Sequence, residues 1–169
     1  MRLMTAIVFT FLAAGYLHAE EDCAAPESPV SVSRDVLDEL TGWIALHTDY
    51  DVSQLYHAPP EISFCGVGDF IDYESSTILV ETYLKAAYDL PNRHIYLVAP
   101  WSENEPFDRS VLLHEMIHDV QLSNQQWECI GAPEMEAYLL QAKYLEGFGI
   151  IPNFNWQQIY ALSRCPKTD

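Results

Sequence analysis

Residues 107–123 read FDRSVLLHEMIHDVQLS and carry the strongest structural signal in this chain of 169 residues. Apolar side chains recur three and four positions apart, the spacing that places them on one face of an α-helix. Asp108 suits the N-cap position of such a helix, and Phe107 and Leu112 suit the apolar contact that brackets a helix start. We therefore predict a helix from about residue 109 to residue 123.

Two histidines of this segment, His114 and His118, lie four positions apart. Residues at that spacing share a helix face, so both imidazole rings can bind one ion, and neutral imidazole nitrogen suits Zn²⁺. Glu115 lies about 100° further round the helix, where its carboxylate can take a proton from an attacking water without binding the ion. The pattern predicts a zinc site with Glu115 as catalytic base. The alternative is a pair of surface histidines on a solvated helix.

A catalytic zinc usually has three protein ligands and one open position, so a third ligand is expected from another element. Pro133 predicts the first turn of a second helix that runs to about Glu146. Glu134 and Glu136 are two positions apart and therefore do not share a face of that helix. Glu134 shares its face with the small Ala137, which allows two helices to approach closely. We expect Glu134 as the third ligand; the alternatives are Glu136, or two carboxylates that only favour the helix dipole.

Three more polar residues are candidates for roles around the ion. Tyr138 lies one turn beyond Glu134 and is a candidate donor to the oxyanion of a tetrahedral intermediate, or a structural tyrosine packed between the helices. Asp119 and Gln121 are candidates for orienting the imidazole rings or the neighbouring loop. Asp119 is equally consistent with a solvated surface carboxylate.

The rest of the chain predicts an α+β fold. A helix is expected over 34–48, a strand over 61–65, a hairpin around Pro91 with 94–98 as its second strand, and a short helix near 155–163. We predict a small, mainly antiparallel sheet with a hairpin, packed on the N-terminal helix and the two zinc-ligand helices.

Two stretches carry weaker signals. Residues 49–60 end in two prolines and are predicted as a loop. Residues 75–88 fit either a buried strand or a helix, because their short apolar run has no decisive periodicity.

The N-terminus has the pattern of a secretory signal peptide. Arg2 supplies a positive charge, Ala6 to Ala14 form an apolar run, and Ala19 closes a plausible cleavage tripeptide. The run is shorter than the ~20 residues that span a bilayer. We predict a signal peptide over 1–19 and a secreted or periplasmic single domain over 20–169, with no stable membrane insertion after cleavage. The alternative is an uncleaved membrane anchor.

Composition adds two further expectations. The four cysteines are an even number in an exported chain and predict disulfides; three connectivities are open, of which we favour Cys23–Cys65 with Cys129–Cys165. The formal net charge of −17 repels phosphate backbones, so nucleic acid is not expected as a partner. The oligomeric state is left open by the sequence.

HEMIH followed by EMEAY on a second helix resembles the gluzincin branch of the zincin metallopeptidases, especially its minimal single-domain members, over about residues 85–146. In that branch the third ligand commonly stands in an ExxA pattern, which here begins at Glu134. The family also has a strand edge before the first zinc helix, where a peptide adds as an extra strand; the resemblance implies that 94–98 is this edge. Gln121 and Asn124 stand where the metzincins have Gly and His, so the chain departs from that branch.

The resemblance implies a zincin-like fold and a secreted zinc-dependent hydrolase that cleaves peptide bonds. Its partner would be a peptide or protein substrate, and its cofactor Zn²⁺. Two alternatives remain at this point. One is a catalytically silent, zinc-stabilised binding or structural module, and the other is a disulfide-stabilised scaffold that binds no metal.

Overall fold

The computed structural model describes residues 31–73 and 76–166. The predicted signal peptide, 1–19, lies outside the described residues, as does Cys23 of the predicted Cys23–Cys65 pair. Both therefore stay predictions. Within the described ranges, no helix is long and apolar enough to cross a membrane.

The described residues form an α+β fold, which confirms the predicted fold class. In chain order the elements are α1 Arg34–His47, α2 Ser53–His57, β1 Glu61–Cys65, β2 Phe70–Tyr73, β3 Ser76–Leu79, β4 Ala86–Asp89, β5 His94–Val98, α3 Pro106–Asn124, α4 Glu134–Glu146 and α5 Trp156–Leu162. The predicted bounds of α1, β1, β5, α4 and α5 agree with these to within two residues. Helix α2 lies in the stretch that we predicted to be a loop.

Two small sheets contain the strands. The larger has the order β1-β5-β4, in which β5 is parallel to β1 and antiparallel to β4; β2 and β3 form an antiparallel pair. The β4–β5 hairpin turns at 90–93, as predicted around Pro91, and Arg93 in the turn has φ 51°.

The predicted edge strand is wrong. Strand β5, residues 94–98, lies in the centre of its sheet because β1 pairs with it along its full length, from Glu61 opposite His94 to Cys65 opposite Val98. The edge of this sheet beside the helices is β4.

The sheet separates two apolar clusters. On one face Ile95 and Leu97 of β5 pack with α1, α3 and α4. On the other face Val98 packs with Ile71 of the β2–β3 hairpin. Helix α3 lies at the centre of the first cluster, and each of its residues from 110 to 121 is buried. The polar side chains of this helix are therefore buried between the sheet and α4 rather than spread over a solvated face.

The predicted N-cap of α3 is also wrong. The helix begins at Pro106, two residues before Asp108, and the cap position falls on Glu105 without a side-chain hydrogen bond. Proline suits a first helical position because it lacks the N–H that would be unpaired there. The Asp108 carboxylate instead accepts a hydrogen bond from the backbone N–H of Ser102 at 2.9 Å.

A disulfide joins Cys129 to Cys165, which confirms this predicted pair. The bond ties the loop before α4 to the end of α5. Gly131 in the same loop packs directly against the carbonyl oxygen of Leu162, so that no Cβ fits between them. The start of α4 and the end of α5 are thus held together at two neighbouring points.

Candidate metal centre

Two histidines of α3 and one glutamate of α4 converge. The Nε2 atoms of His114 and His118 are 3.0 Å apart. The carboxylate of Glu134 lies 3.4 Å from each of them, through Oε2 and Oε1 respectively. Both histidines are buried, and Glu134 is half-buried. The structure thus brings together the three residues that the sequence nominated as ligands.

The separations and the donor types fit a zinc ion. Ligand atoms at about 2.0–2.1 Å from a tetrahedral zinc ion are about 3.3 Å apart, close to the distances of this group. Two imidazole nitrogens and a carboxylate oxygen form a ligand set that is common for catalytic zinc. Without an ion, the Nε2 atoms of two buried imidazoles face each other and share one carboxylate. A cation between them would interact favourably with both nitrogens and with the carboxylate.

Gln121 orients the ring of His118. Its Nε2 donates to the backbone oxygen of Pro133 at 3.1 Å and to Oε2 of Glu136 at 2.8 Å, two groups that only accept. Its Oε1 therefore faces Nδ1 of His118, at 3.0 Å, and accepts the proton of that nitrogen. In the neutral ring the lone pair is then on Nε2, which points toward His114. One of the two roles predicted for Gln121 is thus present in the geometry.

Glu136 does not join the histidines. Two residues along a helix correspond to a rotation of about 200°, so its carboxylate leaves the helix on a different side from that of Glu134. It accepts hydrogen bonds from Gln121 and, at 2.6 Å, from the hydroxyl of Tyr50. The face argument that favoured Glu134 therefore agrees with the coordinates.

Glu115 is buried beside the three candidate ligands and lines the same cavity as they do. Burial raises the pKa of its carboxyl group, the neighbouring His114 and His118 oppose that rise, and the charge of Glu134 adds to it. A carboxyl group with a raised pKa is a stronger base once ionised, which suits a group that takes up and returns a proton.

The charges of the two ligand types support each other. Burial opposes ionisation of Glu134, but hydrogen bonds to His114 and His118 and their charges lower its pKa overall. Burial would also lower the pKa of His118, yet Glu134, Glu115 and Gln121 together raise it. The cluster therefore stabilises positive charge between these side chains.

Tyr138 lies against the site. Its ring makes an edge contact with His114, with 4.5 Å between ring centroids, and a second one with Phe154 at 5.2 Å. This packing corresponds to the structural role considered for it. Its hydroxyl has no hydrogen-bond partner among the described residues, and the side chain lines the cavity that contains the ligands.

A cavity of about 330 Å³ opens at the cluster, between β4 and the β2–β3 hairpin on one side and α3 and α4 on the other. A second cavity of about 950 Å³ lies between α4 and α5. Both are lined by Glu134, Tyr138, Tyr73 and Ile130, so they meet at Glu134. The cluster thus borders space that is large enough for more than an ion.

Strand β4 presents backbone groups along the first cavity. The backbone N–H of Val98 donates to the oxygen of Lys85 at 2.9 Å. In an antiparallel pair such bonds recur at every second residue, so Ala87 and Asp89 point their backbone groups toward β5. Those of Ala86 and Tyr88 point away from β5 and have no backbone partner within the described ranges.

Asp119 has a role that neither of our two predictions for it described. It is buried, at 2% exposure, and accepts hydrogen bonds from Tyr88 at 2.8 Å and from Arg93 at 2.8 and 2.9 Å. It therefore holds α3 to the β4–β5 hairpin, because it leaves the helix toward the sheet rather than toward the imidazoles.

Sequence reasoning missed Tyr50 altogether and considered Glu136 as a ligand or as a first-turn carboxylate that favours the helix dipole, not as a partner of Gln121. The two residues are 86 positions apart, so no local spacing signals their contact. The one available signal was that Glu136 lies on a different helix face from Glu134. A carboxylate on that face needs a contact other than the two histidines.

Comparison with known proteins gives one result. The model of the family described as "Domain of unknown function (DUF6647)" matches residues 29–169. No curated protein and no solved structure matches the chain.

Proposed function

We propose that this chain, which belongs to the DUF6647 family, is a zinc-dependent hydrolase that cleaves peptide bonds. The zinc ligands would be His114, His118 and Glu134, and the general base Glu115. One observation carries the proposal: two histidines one helical turn apart, a carboxylate from a second helix and a buried glutamate all border one open cavity.

Bound zinc supplies a Lewis acid that polarises a carbonyl group and lowers the pKa of water. The residues of the chain supply the proton transfers. The carboxylate of Glu115 accepts a proton from the attacking water and returns it to the nitrogen of the leaving amine. Its burial beside the ligands keeps bulk water from competing for that proton.

The form of the cavity supports an extended peptide as substrate. A peptide that lies along β4 can pair with the outward backbone groups of Ala86 and Tyr88, as a strand added to a sheet edge does. That edge runs beside His114 and Glu115 in the same cavity. The resemblance to the zincin metallopeptidases implies the same arrangement, in which the substrate strand lies beside the first zinc helix. Here the edge strand would be β4 and not β5, residues 94–98.

Tyr138 is proposed as the donor to the oxyanion. Its hydroxyl is unpaired among the described residues, and its ring is held by His114 and Phe154. Burial raises the pKa of Tyr138, and the charges of Glu134 and Glu115 add to the effect. The hydroxyl therefore stays protonated and able to donate at neutral pH.

Export to the periplasm or the medium is part of the proposal. It rests on the signal-peptide pattern of residues 1–19 and is supported by the Cys129–Cys165 disulfide, because such bonds persist in oxidising compartments. The alternative of a zinc module without turnover would favour a closed site with four protein ligands. The group found among the described residues has three ligands and borders a cavity.

Removal of the metal tests the proposed activity. The wild-type protein is incubated with a mixed peptide library as purified, after removal of zinc by a chelator, and after zinc is added back. We expect cleavage in the first sample, its loss by at least ~100-fold in the second, and recovery in the third, because the Lewis acid is essential. Cleavage that persists in fully stripped protein would exclude a zinc mechanism.

A further inference from the structure

A series of hydrogen bonds leads from the loop after α1 to a proposed zinc ligand. The hydroxyl of Tyr50 donates to Oε2 of Glu136 at 2.6 Å, Gln121 donates to the same oxygen at 2.8 Å, and Gln121 in turn accepts from Nδ1 of His118 at 3.0 Å. These four residues, here called the Tyr50 network, connect a loop and both ligand-bearing helices. The function proposed above assigns no role to Tyr50 or Glu136.

The charge of Glu136 determines how the network is oriented. A carboxylate offers acceptors only, so the amide of Gln121 must turn its NH₂ group toward Glu136 and its oxygen toward His118. An amide in the reverse orientation would place a donor against the ring and favour a proton on Nε2, where the metal has to bind. The orientation of Gln121 thus depends on a residue that does not touch the ring.

Tyr50 is itself held by the end of α3. The side chain of Asn124 accepts from the backbone N–H of Asp51 at 2.8 Å and donates to the backbone oxygen of Asp51 at 3.0 Å. Gln125 donates to the Tyr50 hydroxyl at 3.3 Å. The loop is thus fixed to the helix that carries both histidines, so the Tyr50 hydroxyl meets Glu136 in a defined position.

We propose that Tyr50 and Glu136 are positioning residues that hold Gln121 with its oxygen toward Nδ1 of His118, so that the ring presents Nε2 to the metal. The network also links the two ligand helices, because Gln121 donates to Pro133, at the start of α4 and next to the third ligand. That the metal is zinc rests on the proposed function; the orientation of the imidazole does not.

The first experiment measures zinc affinity by competition with a chelator. Tyr50→Phe removes the hydroxyl donor, and Glu136→Gln replaces the carboxylate with an amide that can donate, so that Gln121 is able to turn over. We expect affinity to fall several-fold in the first variant and 10- to 100-fold in the second, the range typical of groups that orient a metal ligand. The matched controls Tyr56→Phe, in α2, and Glu146→Gln, at the exposed end of α4, should leave it unchanged.

The double variant separates positioning from general stability. Both residues act through Gln121, so we expect Tyr50→Phe combined with Glu136→Gln to bind zinc no more weakly than Glu136→Gln alone. Losses that add, or single variants with wild-type affinity, would contradict the proposal. Thermal unfolding of the metal-free proteins shows whether any loss merely reflects a less stable fold.

The second experiment needs no metal. Nitrogen-15 NMR of the metal-free wild type at alkaline pH, where imidazoles are neutral, should show a larger share of His118 with its proton on Nδ1 than Glu136→Gln does. The Glu134 carboxylate, 3.4 Å from Nε2, is the same in both proteins, so the difference reports the orientation of Gln121. An equal share of the two tautomers in wild type and variant would overturn the proposal. A wild type that binds no zinc or cleaves no peptide would instead refute the proposed function, and the NMR result would still decide the role of Tyr50 and Glu136.

Discussion

Asp119 is a single residue on which the attachment of α3 to the β4–β5 hairpin depends. Its buried carboxylate accepts three hydrogen bonds from two side chains, Tyr88 and Arg93. Burial raises the pKa of Tyr88 and the charge of Asp119 adds to the rise, so the hydroxyl remains a donor. The carboxylate compensates for the burial of two polar groups at once.

Replacement of this carboxylate should therefore be costly. We predict that Asp119→Ala lowers the free energy of unfolding by roughly 2–3 kcal/mol, because it leaves Tyr88 and Arg93 without their acceptor. The predicted loss of stability is smaller than for a fully buried ion pair, because the Arg93 side chain is 29% exposed and water can solvate it. Urea denaturation measures it. Asp38→Ala, which breaks an exposed pair with Arg34, is the control and should cost less than ~0.5 kcal/mol.

The sequence predicted the candidate site residues correctly where the spacing along one helix decides which side chains lie together. His114, Glu115 and His118 were found because one helical turn brings them together. Glu134 was chosen over Glu136 by the geometry of a single helix, and it is the one that lies 3.4 Å from both histidines. The same reasoning does not reach the partners of Asp119, because they lie in a turn whose place beside α3 depends on the tertiary fold.

Among the elements, α5 depends on a close contact at Gly131. An added Cβ would overlap the carbonyl oxygen of Leu162, a backbone atom that cannot move without α5, the helix that ends at this residue. The neighbouring disulfide prevents the two segments from separating. The position of α5, which lines the larger cavity, therefore depends on the close contact at Gly131 and on the Cys129–Cys165 disulfide.

We predict that Gly131→Ala displaces α5 and lowers the free energy of unfolding by about 1–3 kcal/mol, the usual cost of overpacking. Thermal unfolding measures the loss. The matched control is Gly42→Ala in α1, where an added Cβ makes only an ordinary contact with Tyr56 at 3.7 Å. That change should stabilise the protein by up to ~1 kcal/mol, because alanine favours a helix more than glycine does. Equal effects at the two positions would contradict this account of α5.

Element-level prediction succeeded for segments with their own periodicity or turn signal and failed where long-range pairing decides. The β4–β5 hairpin follows from a turn at Pro91, and α4 from a proline start and a glycine end. The edge strand was misassigned because β1, 33 positions away at the paired residues Glu61 and His94, joins β5 in parallel. Sequence gives no local indication of such a partner.

On the scale of the molecule, the candidate centre is built into the main core. Helix α3 is buried along twelve consecutive residues, between the sheet and α4. The histidines are therefore held by the packing of the whole domain rather than by a loop. The chain has a formal net charge of −17, which favours the binding of cations in general. The group of His114, His118 and Glu134 would bind one cation at a defined point of the core.

In the proposed mechanism Glu115 moves the proton in a zinc site that His114, His118 and Glu134 form. Zinc content and peptide cleavage are measured on the same samples of wild type, Glu115→Gln and the control Glu128→Gln, an exposed glutamate in the loop before α4. We predict one zinc ion per chain in all three, with cleavage reduced by ~100-fold or more in Glu115→Gln alone, the contribution expected of a general base. A Glu115→Gln protein that binds zinc and cleaves peptides at the wild-type rate would contradict the account.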